Sequence, residues 1–147
     1  MLWGEKSPSP VSGRRRGTPA LSGLVVDPFY TVTRGHGGII VRRTRRSHTA
    51  LDEVGPAFQE IYDALRDVYL PDVALLVDLR DVVGRNDPEF EEVIAPHRRR
   101  LMQSFGRAAV LVRSSVGAMQ IRRLFAADGL SVEVFGDEDE ALEWLGG

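Results

Sequence analysis

Residues 73–79 read Val-Ala-Leu-Leu-Val-Asp-Leu, six apolar side chains interrupted by a single acid. A continuous apolar run of this length, with Pro71 just before it, is the pattern of a strand covered on both faces, because a strand with one wet side would alternate. Residues 108–112, Ala-Ala-Val-Leu-Val, repeat the pattern. Between the two runs the period changes to that of a helix. Asp87-Pro88 opens it, with Asp87 as N-cap and Pro88 at the first helical position, where the missing N–H costs nothing. Phe90, Val93, Ile94, Leu101, Met102 and Phe105 supply its buried side, and Pro96 is expected to kink it. Two buried strands joined through a helix form a crossover unit, so the sheet they belong to is parallel at this point.

Working outward toward the N-terminus, Leu51, Val54, Phe58, Ile61, Leu65 and Val68 recur at steps of three and four, one apolar stripe of a helix. Pro56 falls inside the stripe, so the helix either starts at Gly55-Pro56 or is kinked there. Before it, residues 29–34 (Phe-Tyr-Thr-Val-Thr-Arg) and the stretch beginning at 39–41 (Ile-Ile-Val) read as two strands joined at Gly35, Gly37 and Gly38, a hairpin. Toward the C-terminus, Ser114 or Ser115 caps a third helix with Ala118, Ile121, Leu124 and Phe125 facing inward and Gly129 ending it. Leu130, Val132 and Val134 alternate with polar residues, as an edge strand does. Asp137 and Glu140 have the spacing of a capping box for a last helix that buries Ala141, Leu142 and Leu145. The expected fold is therefore α/β, in the order β-β-α-β-α-β-α-β-α, with a mixed, mainly parallel sheet packed with helices.

Residues 1–27 differ in kind. Pro8, Pro10 and Pro19 alternate with Ser, Gly and Arg without apolar periodicity, and such a segment buries too little to offset its ordering entropy. We read 1–27 as a disordered tail and 28–147 as the folded domain. The tail's Arg14-Arg15-Arg16 followed by Leu21 to Val26 makes a poor secretory signal, because the apolar run is short and broken by Ser22 and Gly23.

Composition narrows the function. The chain has 147 residues, 43% of them hydrophobic and 27% charged, enough for one core without staples. There are no cysteines, which removes disulfides, thiolate catalysis and cysteine-held metals and suits a reducing cytoplasm. The formal charge of −2 supplies no global attraction to nucleic acid. No stretch approaches the roughly 20 apolar residues of a bilayer span. His36, His48 and His97 are scattered, with none of the spacing of metal ligands. No Gly-x-Ser-x-Gly elbow surrounds Ser114-Ser115, and Gly35-x-Gly37-Gly38 is followed by no phosphate-loop lysine. We expect no cofactor, no metal and no enzymatic activity.

Element order, the segment Leu-Leu-Val-Asp-Leu-Arg-Asp-Val at 75–82 and the ending Glu-Val-Phe-Gly-Asp-Glu-Asp-Glu-Ala-Leu-Glu-Trp-Leu at 133–145 resemble the STAS family, the fold of bacterial anti-sigma-factor antagonists, and its Sec14-like relatives. The resemblance covers about residues 29–147. It implies a regulatory protein-binding role. Antagonists of that family carry a phosphorylatable Ser or Thr after the central Asp-Leu strand end; here no hydroxyl occurs between Asp78 and Ser104, so the phospho-switch is missing from its place. Asp87 stands in that region as an N-cap.

In open α/β sheets ligands favour the carboxyl ends of parallel strands. Those ends are expected to bring together Arg80, Asp81, Arg85, Asn86 and Asp87 from one crossover and Arg113, Ser114 and Ser115 from the next, beside two helix N-termini with their unpaired N–H groups. The leading expectation is a non-enzymatic regulatory or scaffold module that binds a protein partner through Arg80, Arg85, Asn86, Asp87, Arg113, Ser114 and Ser115. The alternative is a domain for an anionic small molecule or lipid headgroup, which needs an enclosed apolar pocket of several hundred Å3. Asp78 is expected to form a structural ion pair with Arg80 or Arg113. The cluster Arg42, Arg43, Arg45, Arg46 and His48 lacks interleaved aromatics and does not read as a nucleic-acid surface, and His97-Arg98-Arg99-Arg100 reads as an exposed charged helix side. Homodimerisation through the last strand or the hairpin stays open.

Overall fold

The computed structural model describes residues 22–35, 37–44, 50–81 and 88–146. Its element order is β1 (Ser22–Asp27), β2 (Tyr30–Gly35), β3 (Gly38–Arg43), α1 (Val54–Ala64), β4 (Ala74–Asp78), α2 (Pro88–Ser104), β5 (Arg107–Leu111), α3 (Ser115–Ala127), β6 (Glu133–Phe135) and α4 (Glu138–Gly146). The six strands lie in one sheet in chain order. β1, β2 and β3 pair antiparallel, and β3, β4, β5 and β6 pair parallel. The α/β class and the succession from β2 onward follow the sequence reading.

One boundary is corrected. The stretch read as the end of a tail contributes β1, which runs beside β2 with Leu24 opposite Val32 and a register shift between Val25 and Asp27. The reason is local: Leu24-Val25-Val26 is a β-prone run, and β2 offers an otherwise open row of N–H and C=O groups to pair with. The edges of the sheet are thus β1 and β6, and the hairpin lies inside it. Residues 1–21 lie outside the described residues.

Successive crossovers of one hand between neighbouring strands place their helices on one face. α1, α2 and α3 accordingly share a core with Val32, Ile39, Val41, Leu75, Val77, Val110 and Val112. α1 begins after a 3-10 turn at Leu51–Glu53, and Pro56 sits in its first turn, where it breaks no hydrogen bond. α2 continues through Pro96. The opposite face carries a smaller core, Ile40, Ala74, Leu76, Ala109 and Leu111 under Ala141 and Leu145 of α4. β4 is buried at all five positions because both helical layers meet over it.

Two glycines adapt the hairpin to that second layer. Gly37 has φ +87, a left-handed conformation that a side chain strains. Gly38 lies against β4 so closely that a Cβ there would stand 2.5 Å from the Ala74 carbonyl oxygen and 2.7 Å from Leu145 Cδ1. Gly38→Ala is expected to destabilise the protein by about 1–3 kcal/mol in chemical denaturation. An unchanged unfolding midpoint would mean that β3, β4 and α4 do not approach this closely.

Candidate functional site

The four parallel strands end on one edge, and the ladder continues past their assigned ends: Leu79 N–H donates to the Leu111 carbonyl at 2.9 Å and Val112 N–H to the Phe135 carbonyl at 2.9 Å. Since Asp78 pairs with Leu111 across β4 and β5, Arg80 and Arg113 each lie two residues beyond a matched pair and share one rim. Of the residues expected there, Arg80, Arg113, Ser114 and Ser115 are together. Arg85, Asn86 and Asp87 lie outside the described residues, and so does the N-cap assigned to Asp87.

Asp78 is the buried acid of this rim, 2% exposed. Its Oδ1 accepts from the Arg80 backbone N–H and Nε, both at 3.0 Å, and its Oδ2 accepts from Arg80 Nη2 and Arg42 Nε, both at 2.8 Å. Arg42 stands opposite Asp78 in the β3–β4 register, which is why it reaches this carboxylate. Arg80 then spans outward, with Nη1 2.8 Å from Glu138 Oε1 in the first turn of α4. The ion pair anticipated for Asp78 is made with Arg80 and Arg42, and Arg113 turns instead to Asp81 at 3.3 Å. A carboxylate has about four acceptor sites, and here four donors fill them, so Asp78 has no lone pair left for proton transfer.

Ser114 is the N-cap of α3: its hydroxyl oxygen accepts from Gly117 N–H at 3.0 Å. Ser115 and Arg113 stay exposed, Arg113 with 69% of its side chain in solvent. Just beyond them α3 exposes two large apolar residues, Val116 at 63% and Met119 at 59%. These were missed as site residues although the signal was readable, because positions 116 and 119 fall on the helix side opposite Ala118, Ile121 and Phe125. Arg42 and Glu138 were missed for a different reason, since strand register and the docking of α4 brought them in.

Other basic runs resolve into separate roles. Arg42 and Arg43 point to opposite faces of β3, as neighbours in a strand must. The reading of 97–100 as an exposed charged side holds for Arg100 and is corrected for His97 and Arg98. Arg98, 14% exposed, bonds Glu91 through Nη1 and Nη2 and Asp128 through Nε and Nη2. His97 stacks on Phe58 at 5.3 Å between ring centroids, and Arg100 lies 4.3 Å over the Tyr62 ring. Beneath these helices, between them and the sheet, lies a cavity of about 150 Å3 lined by Tyr30, Phe58, Phe90, Ile94, Met102 and Phe125, with Arg43 and Arg98 at its wall. Its volume is below the several hundred Å3 of a lipid or drug-sized pocket.

Burial works to raise the Asp78 carboxyl, but hydrogen bonds from Arg80 and Arg42 outweigh it and hold the group below its ordinary value. A carboxylate lowered on folding contributes stability that is complete above its unfolded value, about 3.9, and is lost as pH falls through the folded value. Asp78→Asn leaves Arg42 without its anion and Arg80 with Glu138 alone, and is expected to cost about 3–5 kcal/mol at neutral pH. Denaturation curves recorded from about pH 5 downward should show wild type losing stability faster than the variant. Parallel pH dependences would remove Asp78 as the titrating group. Ser114→Ala should cost about 1 kcal/mol, read from the same curves, as loss of a helix cap does.

No family model, no curated protein and no solved structure matches this chain.

Proposed function

We propose that this protein is a STAS-like, non-enzymatic regulatory or scaffold domain that binds a protein partner across the strand-end rim and the outer side of α3. The observation that carries this reading is the exposed pair Val116 and Met119, one turn apart and next to the exposed Arg113. Scattered apolar residues on a surface are ordinary. Two large ones side by side on a helix, flanked by an arginine, have the composition of an interface centre. Protein docking is favoured over capture of a small anion at the rim because the arginines described there are already matched: Arg80 is shared between Asp78 and Glu138, and Arg113 touches Asp81.

The saturated Asp78 supports the non-enzymatic part of the reading, since the acid best placed for chemistry is fully engaged as an acceptor. The STAS part rests on element order and on the residues around Asp78 and at 133–145. A cytoplasmic setting belongs to the same reading.

Affinity capture with the full chain, followed by mass spectrometry, tests the surface. Wild type should retain a defined partner that Val116→Glu with Met119→Glu loses and Arg113→Ala weakens, with little change in melting temperature because all three side chains are exposed. Sedimentation velocity of the same proteins separates a second copy of this chain from a foreign partner. Equal retention by the double variant would reject α3 as the docking surface.

A further inference from the structure

The alternation of β3 places Arg43 on the same face as Ile39 and Val41, the face covered by α1, α2 and α3. An arginine in that row breaks the apolar pattern. Its Nε is buried and has no acceptor, and among the described residues the guanidinium makes no hydrogen bond and no ion pair. The guanidinium lies over the ring of Tyr30, 5.4 Å from the centroid. Leaving a buried donor of this kind unsatisfied is unfavourable.

The contrast with Arg98 on the wall of the same cavity is direct. Burial works to lower Arg98, yet the hydrogen bonds it donates to Glu91 and Asp128 outweigh it and raise its proton affinity. Both Glu91 oxygens are engaged by Arg98, so the acid that lines the cavity is already matched. Arg43 therefore faces a void of about 150 Å3, walled by aromatic and aliphatic side chains, as a cation with no anion among the described residues.

We propose that the cavity is a binding site for a small aromatic carboxylate, with the ring among Phe58, Phe90, Ile94, Met102 and Phe125 and the carboxylate on Arg43. The volume sets the size of the ligand. A void of about 150 Å3 lined by apolar side chains holds a benzene-sized group, whereas a long acyl chain needs several times more. The orphan Nε sets the charge, because a guanidinium presents a planar fork that a carboxylate matches with two hydrogen bonds. This site is distinct from the α3 surface: Ile121 and Leu124 line it from the inner side of the helix whose outer side exposes Val116 and Met119.

The test uses phenylacetate and its neutral isostere phenylacetamide, titrated separately into the full chain and followed by two-dimensional NMR or calorimetry. Phenylacetate should bind saturably and about tenfold or more tighter than the amide, the step expected when a charged hydrogen bond to a buried partner is lost. Arg43→Met, which keeps the length of the side chain, should abolish the difference between the two compounds. Ile121→Phe should weaken both by filling the void. No saturable binding of phenylacetate up to about 10 mM, or equal affinity for acid and amide on wild type, overturns the proposal. The comparison on wild type decides the matter even if Arg43→Met fails to fold.

Discussion

The Asp78 carboxylate ties three elements together at a place where none of the alternatives would hold. It is almost wholly removed from solvent, and it is kept ionised there by donors from β3 and from the turn after β4. A buried anion without partners would cost far more than the folded state has to spare, so Arg42 and Arg80 are obligatory once Asp78 is placed. Arg80 passes the constraint on to α4 through Glu138. The strand ends, the rim and the start of the last helix are thereby held in one arrangement by a chain of charged hydrogen bonds.

That arrangement matters because the two faces of the sheet are unequally covered. The sequential strand order commits α1, α2 and α3 to one side, and α4 is left to close the other over β4, β5 and β6. Small residues make this closure tight: Ala74 and Ala109 lie under Ala141 and Leu145, and Gly38 lets the hairpin come up beside them. Arg107 seals the far end, lying 4.2 Å over the Trp144 ring and donating to the Leu145 carbonyl at 3.4 Å. The polar Thr31 and Thr33 of β2 share the face of Ile40 but lie beyond the core that α4 closes.

Several of the less exposed charges of this protein are matched from within. Arg34 pairs with Asp67, Arg80 with Asp78 and Glu138, and Arg98 with Glu91 and Asp128. Against that background the unmatched features stand out. Among the described residues these include Val116 and Met119 beside Arg113 on the outside and the Nε of Arg43 on the inside. Both involve α3, one on its outer side and one behind its inner side, which makes this helix the element through which an internal ligand and an external partner would meet.

How much of this was legible without coordinates follows from the range of each signal. The continuous apolar run at 73–79, the three-and-four spacing from Leu51 to Leu65, the Ser114 cap and the Gly129 stop are local patterns, and local backbone geometry decides them. They were sufficient for the α/β class, the element order from β2 onward and the shared rim of Arg80 and Arg113. β1 escaped because a short Leu-Val-Val run beside a Pro- and Arg-rich segment has no strand signature until β2 offers it a partner. The pairing of Asp78 with Arg42 required the register of β3 against β4, and the burial of Arg98 required α2 to meet Asp128 after α3. The orphan on Arg43 required both the direction of its side chain and the void in front of it. Sequence by itself determined the strands and helices from β2 onward, since those depend on neighbours a few residues away. Tertiary structure alone decided which charge meets which, because a salt bridge between residues 36 or 30 positions apart is set by how the layers stack, as for Asp78 with Arg42 and Asp128 with Arg98.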